Sequence, residues 1–416
     1  MKKISFIIVL LAISLVSFGQ IKYDKVSDYG EYQENWALVQ KGGLFGFIDL
    51  EGNEIVKPQY SKIAIFGDFQ EKWALVEKGG LSGFINTDGI EIVKTQYNKI
   101  SLFGDFQEKW ALVDKGGLLG FIDQNGNEIV VPQYDKIAQF GEFQENWSLV
   151  EKGGCLGFIN NEGIEIVKPV YEQIQAFGDF QEKWALVEVG KFSGFINNEG
   201  IEIVKPQYEK ILQFGDFREN WAIVEVGGLL GFIDNTGSEI VKPQYKKIDP
   251  FGEYKENLAL IEMGGLVGFL DIEGKEIVKP SYKKIGQFGD IKEDWALVEN
   301  EGLFGFIDLE GKEIAKPIYT KIGMFGEIKA DWALVEIGAL VGCLNQSGRE
   351  IVKPKYQKIE PFGDFKIDWA LVKRNGLSGF IDEDGKEVIK TKYEKIENDE
   401  LLEGIIKGKR ENLLPN

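Results

Sequence analysis

The chain has 416 residues, of which 44% are hydrophobic and 12% aromatic, and its formal net charge is −19. This apolar content excludes a disordered chain, and the negative charge argues against nucleic acid or an anionic lipid surface as a partner, because both repel a polyanion. The sequence contains no histidine, which excludes Ser-His-Asp and Cys-His catalysis and the commonest metal ligand.

The first nineteen residues have the pattern of a secretory signal peptide. Lys2 and Lys3 form a charged start, residues 4–18 are mostly apolar, and small residues precede Gln20. An apolar run of about 15 residues is shorter than the roughly 20 that a membrane-spanning helix needs. We therefore expect residues 1–19 to be cleaved near Gly19-Gln20. The mature chain would then be exported to the periplasm, the cell surface or the medium, without membrane insertion.

Residues 20–396 form a tandem array with a period of 37 residues. Nine tryptophans and one leucine mark the ten repeats: Trp36, Trp73, Trp110, Trp147, Trp184, Trp221, Leu258, Trp295, Trp332 and Trp369. The spacing contains no insertion or deletion. One repeat therefore describes all ten, and they are numbered 1 to 10 along the chain.

The first half of the repeat predicts a β-hairpin. Residues 34–41 contain four consecutive apolar residues, Trp36 to Val39, which is typical of a strand buried on both faces. Lys41-Gly42-Gly43 then gives a tight turn, and residues 44–49 form the returning strand. The glycine at position 46 recurs in every repeat, which indicates a close approach of another backbone.

The second half of the repeat predicts two further extended pieces. A turn at residues 50–52 leads to a short strand at 54–57, which we expect to end at Pro58 because proline cannot donate a hydrogen bond to a sheet. Residues 60–63 form a fourth extended piece. Each repeat is thus predicted to be a meander of three to four strands that must stack on its neighbours to bury both faces.

The two ends of the array decide between an open stack and a closed ring. The chain begins with Tyr23-Asp24-Lys25-Val26 and ends with Tyr393-Glu394-Lys395-Ile396, so the same element stands at both ends. A closing ring would instead divide one repeat between the two termini. We predict an all-β, open superhelical array of ten β-hairpin or meander repeats, with a ten-bladed β-propeller as the alternative. Residues 397–416 are predicted to form a C-terminal cap or tail.

The repeat resembles the WG-repeat family of bacterial proteins. The matching positions in the first units are Gly46, Phe47, Ile48, Asp49, Gly52, Val56, Pro58, Tyr60 and Ala74 to Val76. The family's tryptophan, just before the glycine, is replaced by residues such as Phe45 and Ser82, and the tryptophans of this chain lie in the preceding strand. The resemblance implies an exported or envelope repeat protein and names no mechanism.

No residue pattern predicts catalysis or a cofactor. Cys155 and Cys343 stand where other repeats have leucine or phenylalanine, which indicates core residues. Acids such as Asp49, Glu51 and Glu54 recur in every repeat, whereas a catalytic pair is expected at one place only. Residues 123–128 lack the ligand order of a calcium loop and indicate an ordinary Asn-Gly turn. We therefore expect a protein that is not an enzyme and has no catalytic, cofactor or metal site.

The repeated aromatic residues leave two interpretations open. Trp36 lies within an apolar run, which favours a core position, and the leucine at 258 fits packing; exposed tryptophans would instead form a ladder for sugar rings or an extended peptide. The variable position of Phe45, Ser82 and Leu119 is where one face is expected to reach solvent or a partner. We expect a protein-binding or scaffolding module of the cell envelope, with a polysaccharide- or wall-binding module as the alternative.

Overall fold

The computed structural model describes residues 23–394 together with residues 396, 403 and 404. The predicted signal peptide lies outside the described residues, and of the predicted tail only Glu403 and Gly404 are described. The fold is all-β, as predicted, and each repeat supplies one antiparallel sheet of four strands in chain order. Among the described residues none of the ten sheets closes on itself.

The first strand of each sheet has two residues in repeats 1 to 8 and nine residues in repeats 9 and 10. The first strands are Lys25–Val26, Lys62–Ile63, Lys99–Ile100, Lys136–Ile137, Gln173–Ile174, Lys210–Ile211, Lys247–Ile248, Lys284–Ile285, Lys321–Lys329 and Lys358–Lys366. The second strands are Ala37–Lys41, Trp73–Lys78, Trp110–Lys115, Trp147–Lys152, Trp184–Val189, Trp221–Val226, Leu258–Met263, Ala296–Asn300, Trp332–Ile337 and Trp369–Arg374.

The third and fourth strands complete each meander. The third strands are Leu44–Ile48, Leu81–Asn86, Leu118–Asp123, Cys155–Asn160, Phe192–Asn197, Leu229–Asp234, Leu266–Asp271, Leu303–Ile307, Leu340–Asn345 and Leu377–Asp382. The fourth strands are Glu54–Tyr60, Glu91–Tyr97, Glu128–Tyr134, Glu165–Tyr171, Glu202–Tyr208, Glu239–Tyr245, Glu276–Tyr282, Glu313–Tyr319, Glu350–Tyr356 and Glu387–Tyr393.

The hairpin between the second and third strands forms as the sequence predicts. In repeat 1 the turn residues Gly42 and Gly43 have φ angles of 59° and 82°. Two successive residues with positive φ give the type I′ turn, whose twist matches that of the flanking strands. The hairpin therefore keeps Lys41 opposite Leu44 and Ala37 opposite Ile48.

The recurring glycine of the third strand lies against the fourth strand, which confirms the predicted close approach. A Cβ atom built on Gly46 would lie 2.3 Å from the carbonyl oxygen of Val56 and 2.6 Å from the nitrogen of Pro58. The register between the two strands shifts at this point, as in a β-bulge. Only glycine leaves room for the fourth strand to bend across the third.

The prediction that Pro58 ends the strand was wrong. The fourth strand continues through Pro58 to Tyr60. It lies at the edge of its sheet, where one side of the backbone has no strand partner, and proline is tolerated on edge strands. In repeat 2, where Thr95 replaces proline, its backbone N–H donates to Oε1 of Glu91 at 3.1 Å.

The prediction of a single extended piece over residues 60–63 was also wrong. Tyr60 ends the fourth strand of sheet 1, whereas Lys62 and Ile63 form the first strand of sheet 2, paired with Glu77 and Val76. One residue, Ser61, connects the two sheets.

The hydrophobic core lies between consecutive sheets. Trp73, Phe84, Val93 and Tyr97 of repeat 2 pack against Ile100, Ala111, Val113 and Ile122 of repeat 3. The same combination recurs between repeats 6 and 7. Alternate side chains of a strand point to opposite faces, so the second and third strands supply apolar residues to the sheet before and the sheet after. The prediction that neighbours bury the second face is confirmed.

The chain divides into two compact units. One contains the described residues up to Gly190 together with Ile196–Glu202, and the other contains Lys191–Phe195 and the described residues from Ile203 onward. The first unit thus holds repeats 1 to 4 and most of repeat 5, and the second unit holds repeats 6 to 10.

Candidate interaction surface

The tryptophans are core residues. Six of the nine are buried, with exposures from 2% for Trp332 to 9% for Trp147, and Trp36, Trp184 and Trp369 are half-buried. The core interpretation is therefore confirmed, and the alternative of an exposed tryptophan ladder was wrong. A sugar ring has no access to the face of a buried indole.

The tryptophans connect adjacent repeats through aromatic contacts. The ring of Trp73 lies 5.3 Å from that of Phe84 in its own sheet and 5.9 Å from that of Phe103 in the next repeat. The second contact is edge-on, a geometry that aromatic quadrupoles favour. In repeat 7, where Leu258 replaces tryptophan, the centroids of Phe269 and Phe288 are 5.7 Å apart, compared with 6.4 Å for Phe84 and Phe103.

The variable position does not reach solvent as expected. Phe45 and Leu119 are half-buried, and Ser82 is buried. Each is opposite the tyrosine that ends the fourth strand, as Phe45 is opposite Tyr60. The bend of that strand covers the position, and the sequence alone did not reveal this bend.

The recurring acids have structural partners. Oδ1 of Asp49 accepts hydrogen bonds from the backbone N–H groups of Glu51 and Asn53, at 2.9 and 2.8 Å. The side-chain and backbone hydrogen bonds from Asn53 lower the pKa of Asp49. Asp123 accepts the corresponding bonds from Asn125 and Asn127, both at 2.8 Å, so residues 123–128 form the ordinary turn that was predicted.

Glutamate at the start of the fourth strand links neighbouring repeats. Nine of these ten glutamates accept a hydrogen bond from the tyrosine 31 residues earlier, which ends the fourth strand of the preceding repeat or, for Tyr23, begins the array. The bonded pairs are Tyr23–Glu54, Tyr97–Glu128, Tyr134–Glu165, Tyr171–Glu202, Tyr208–Glu239, Tyr245–Glu276, Tyr282–Glu313, Tyr319–Glu350 and Tyr356–Glu387. Burial and the adjacent carboxylate raise the pKa of Tyr134 and of Tyr208 to about 12.

The two cysteines differ in environment, and both are free thiols. Cys343 is buried, and this burial raises its pKa to about 12, so the thiolate is disfavoured. Cys155 is half-buried next to the hairpin turn, opposite Lys152. The core prediction is confirmed for Cys343 and was wrong for Cys155.

The base of each hairpin turn presents a pair of side chains to solvent, and the residue types change along the chain. In repeats 2 to 4 the pair contains a lysine whose Nζ donates to a glutamine at the end of the preceding fourth strand. The bonds are Lys78 to Gln59, Lys115 to Gln96 and Lys152 to Gln133, at 2.8–2.9 Å. In the first unit the lysine ammonium groups at this position are therefore hydrogen-bonded by a neighbouring glutamine and by solvent.

In repeats 6, 7 and 9 of the second unit apolar residues replace these lysines, whereas repeats 8 and 10 have Asn300 and Arg374 there. Val226 is opposite Leu229, Met263 is opposite Leu266, and Ile337 is opposite Leu340. Exposures are 37% for Leu229, 40% for Met263, 42% for Ile337 and 40% for Leu340. Ile318, the counterpart of Gln59, is 44% exposed. We call Val226, Leu229, Met263, Leu266, Ile318, Ile337 and Leu340 the apolar hairpin surface.

The described residues contain no cluster of three or more cysteine, aspartate or glutamate side chains that could hold a metal ion. No helix within the same residues is long and apolar enough to cross a membrane.

Several solved structures are similar to the chain at 10–12% sequence identity. The extracellular domain of the putative hybrid two component system BT3049 from B. thetaiotaomicron has 10% identity and a TM-score of 0.33. The match covers 91% of this chain and 60% of that domain, so the chain spans less than two thirds of it. BamB from Moraxella catarrhalis has 12% identity and a TM-score of 0.18, over 62% of this chain and 88% of BamB. Hsv2p from Kluyveromyces lactis has 12% identity and a TM-score of 0.19, over 54% and 84%.

No curated protein matches the sequence. The pattern described as WG containing repeat matches ten times in succession, at residues 45–81, 83–118, 120–154, 157–191, 194–229, 231–266, 268–304, 304–339, 342–377 and 379–406. Each match begins at or near the third strand, where the glycine of the close approach lies. The chain therefore belongs to the family of WG containing repeat proteins.

Proposed function

We propose that the protein is a non-enzymatic, exported binding or scaffolding module that holds another protein of the cell envelope through the apolar hairpin surface. The supporting observation is the replacement of hydrogen-bonded lysines by the exposed side chains of Met263 and Ile337 at the same structural position, opposite Leu266 and Leu340. Exposed apolar surface of this kind is typical of protein interaction sites.

The same surface disfavours a polysaccharide as the ligand at this position. Val226, Leu229, Met263, Ile337 and Leu340 carry no hydrogen-bonding group for sugar hydroxyls and no aromatic ring for stacking on a sugar. A protein partner would bury aliphatic and thioether groups against its own apolar side chains. Burial of such side chains contributes about 25 cal/mol for each Å² of apolar surface removed from water.

Site-specific photocrosslinking in intact cells of the source organism tests the proposal. A crosslinking residue would replace Met263 or Ile337, with Lys78 and Lys115 as the matched positions in the first unit. We expect one discrete protein adduct at Met263 and Ile337 and none at the lysines. The purified partner should then lose at least tenfold in affinity for the Ile337→Lys/Leu340→Lys variant, which restores a basic residue at this position.

Two results would contradict the proposal. Equal adducts at all four positions would mean that crosslinking reports exposure alone. The mature chain could also pellet with an insoluble neutral polysaccharide, to the same extent with and without the Ile337→Lys/Leu340→Lys substitutions. That result would mean that the ligand is a glycan and that it binds at another surface.

A further inference from the structure

A second surface of the second unit carries a regular row of free cations. One exposed lysine lies at the fourth position of the fourth strand in six consecutive repeats. These residues, which we call the edge lysines, are Lys205, Lys242, Lys279, Lys316, Lys353 and Lys390. Within the described residues none of their side chains has a hydrogen bond, an ion pair or a ring contact.

The opposite edge of the same sheets behaves differently. Lysines of the first strands have carboxylate partners: Lys247 with Asp249, Lys284 with Glu299, Lys321 with Glu336 and Lys358 with Glu360, at Nζ to oxygen distances of 2.6–3.6 Å. In a chain of net charge −19, acids are abundant enough to neutralise nearby lysines. The edge lysines are nevertheless unpaired, so their charge is available to an external anion.

A second basic position lies just before the same strand. Lys275, Lys312, Arg349 and Lys386 are exposed there in repeats 7 to 10. In the first unit the same position holds Asn53, Ile90, Asn127, Ile164 and Ile201. Each of the last four fourth strands therefore carries two cations four residues apart, whereas Lys57, Lys94 and Lys168 of the first unit have no second cation beside them at this position.

Protection of the sheet edge does not account for this row. A lysine or a proline can each prevent another strand from pairing with an exposed edge. In repeat 10 Lys390 remains although Thr391 replaces proline, and in repeat 3 Pro132 remains although Val131 replaces lysine. Proline already protects repeats 5 to 9, in all of which the lysine is also present.

We propose that the edge lysines of the second unit bind a linear, carboxylated polysaccharide. Stacked sheets pack about 10 Å apart, so the row offers about one or two cations per sheet, a sparse linear charge. A uronate polymer carries one carboxylate on each sugar ring, so its charges lie farther apart than those of a phosphate polymer and suit a sparse row better. A phosphate polymer carries closely spaced charges that the acidic remainder of the chain repels. Repetition of a weak contact raises the affinity through effective concentration.

Binding of the mature full-length chain to polygalacturonate tests this inference, with neutral dextran and inorganic polyphosphate as comparison probes. The variant Lys242→Gln/Lys279→Gln/Lys316→Gln/Lys353→Gln removes four edge lysines. The matched control Lys247→Gln/Lys284→Gln/Lys321→Gln/Lys358→Gln changes the net charge equally, in repeats 7 to 10 where the edge variant changes repeats 6 to 9. We expect the edge variant to lose at least about tenfold in affinity and to show a flatter salt dependence, whereas the control retains both within about twofold. Circular dichroism establishes that both variants are folded.

Four results would overturn the inference. Equal losses in both variants would attribute binding to net charge alone, and tighter binding of polyphosphate than of polygalacturonate would assign the row to phosphate. Absence of polygalacturonate binding would exclude a carboxylated polysaccharide as the ligand of the edge lysines. Aggregation of the edge variant without a change in affinity would show that the lysines only protect the sheet edges. None of these results bears on the proposed protein-binding role of the apolar hairpin surface, which photocrosslinking to a protein partner tests separately.

Discussion

The hydroxyl of Tyr245 donates a hydrogen bond to Oε1 of Glu276 at 2.6 Å and joins the fourth strands of repeats 6 and 7. This bond is one of eight equivalent tyrosine–glutamate bonds between neighbouring repeats. It places a polar contact at the margin of each apolar interface, where the tyrosine ring is buried and its hydroxyl reaches the carboxylate.

Loss of this hydroxyl should weaken the stack. The variant Tyr245→Phe keeps the ring and removes the bond, and we expect it to lower the free energy of unfolding by about 1.5–3 kcal/mol, as for a hydrogen bond to a charged group. Urea unfolding followed by circular dichroism measures the difference. The control is Tyr254→Phe in repeat 7, because repeats 6 and 10 have phenylalanine at that position. Equal losses in the two variants would mean that the bond to Glu276 contributes nothing.

The tyrosines also predict instability at alkaline pH. Burial and neighbouring glutamates raise the pKa of Tyr60, Tyr171 and Tyr282 to about 12, above the value of about 10 in an unfolded chain. The folded state therefore holds these protons more tightly than the unfolded state. Their contribution to the stability of the folded state is therefore fully present below about pH 10 and is lost as the pH rises through about 12.

Tyrosinate absorbance and circular dichroism, recorded together during a pH titration, check this expectation. Most tyrosines should ionise only at the high pH at which the chain unfolds. In urea, where the chain is already unfolded, all tyrosines should ionise near their ordinary pKa of about 10. Ionisation near pH of about 10 in a chain that keeps its β-sheet signal would contradict the structure.

The glycine of the third strand should tolerate no side chain. In Gly120→Ala the new Cβ atom would lie 2.3 Å from the carbonyl oxygen of Val130, so the fourth strand must move, at a cost of about 3 kcal/mol. The control Gly116→Ala lies in the hairpin turn, where φ is 66° and no atom lies within 4 Å, and only backbone strain of about 1–2 kcal/mol is expected. Thermal unfolding should rank Gly120→Ala as the less stable variant, and the reverse order would refute the bend of the fourth strand.

Proline should be accepted in the one fourth strand of the first unit that lacks it. Thr95→Pro removes an exposed hydrogen bond to Glu91 but restricts the unfolded chain, and we expect stability to remain unchanged or to rise by up to about 1 kcal/mol. The reverse substitution in repeat 3, Pro132→Thr, should leave the stability unchanged or lower it by up to about 1 kcal/mol. A loss above about 2 kcal/mol for Thr95→Pro in urea unfolding would mean that this N–H has a structural role.

The open array remains a prediction that small-angle scattering can test. An open stack of ten repeats should give a radius of gyration well above the roughly 21 Å expected for a compact chain of the mature length. A distance distribution typical of a flat disc would favour the ten-bladed propeller instead.

The sequence predicted most of the secondary structure, and its errors share one cause. The period, the hairpin and the close approach at Gly46 follow from glycine and apolar spacing within a repeat. The errors at Pro58 and at residues 60–63 arose because local pattern does not show which strand lies at an edge or which sheet a strand joins. Both are determined by pairing with residues distant along the chain.

The contacts between repeats escaped the sequence interpretation for a related reason. A tyrosine and a glutamate recur in every repeat, and their spacing of 31 residues was available as a signal. Their meeting depends on how sheets stack, which a single repeat does not reveal. The edge lysines were equally regular, but a lysine row becomes informative only when its lack of partners is known.

Because the core clusters between the terminal sheets are each shared by two successive sheets, the interface made by one repeat is compatible with any other repeat of the array. If recombination of the gene removed or added a whole repeat, the two sheets brought together would still have complementary faces, and no apolar face would be left uncovered between them. The number of repeats can change in evolution without any new substitution. The extent of the surface offered to a partner is then set by gene length, and each added repeat would carry one more hairpin and one more edge.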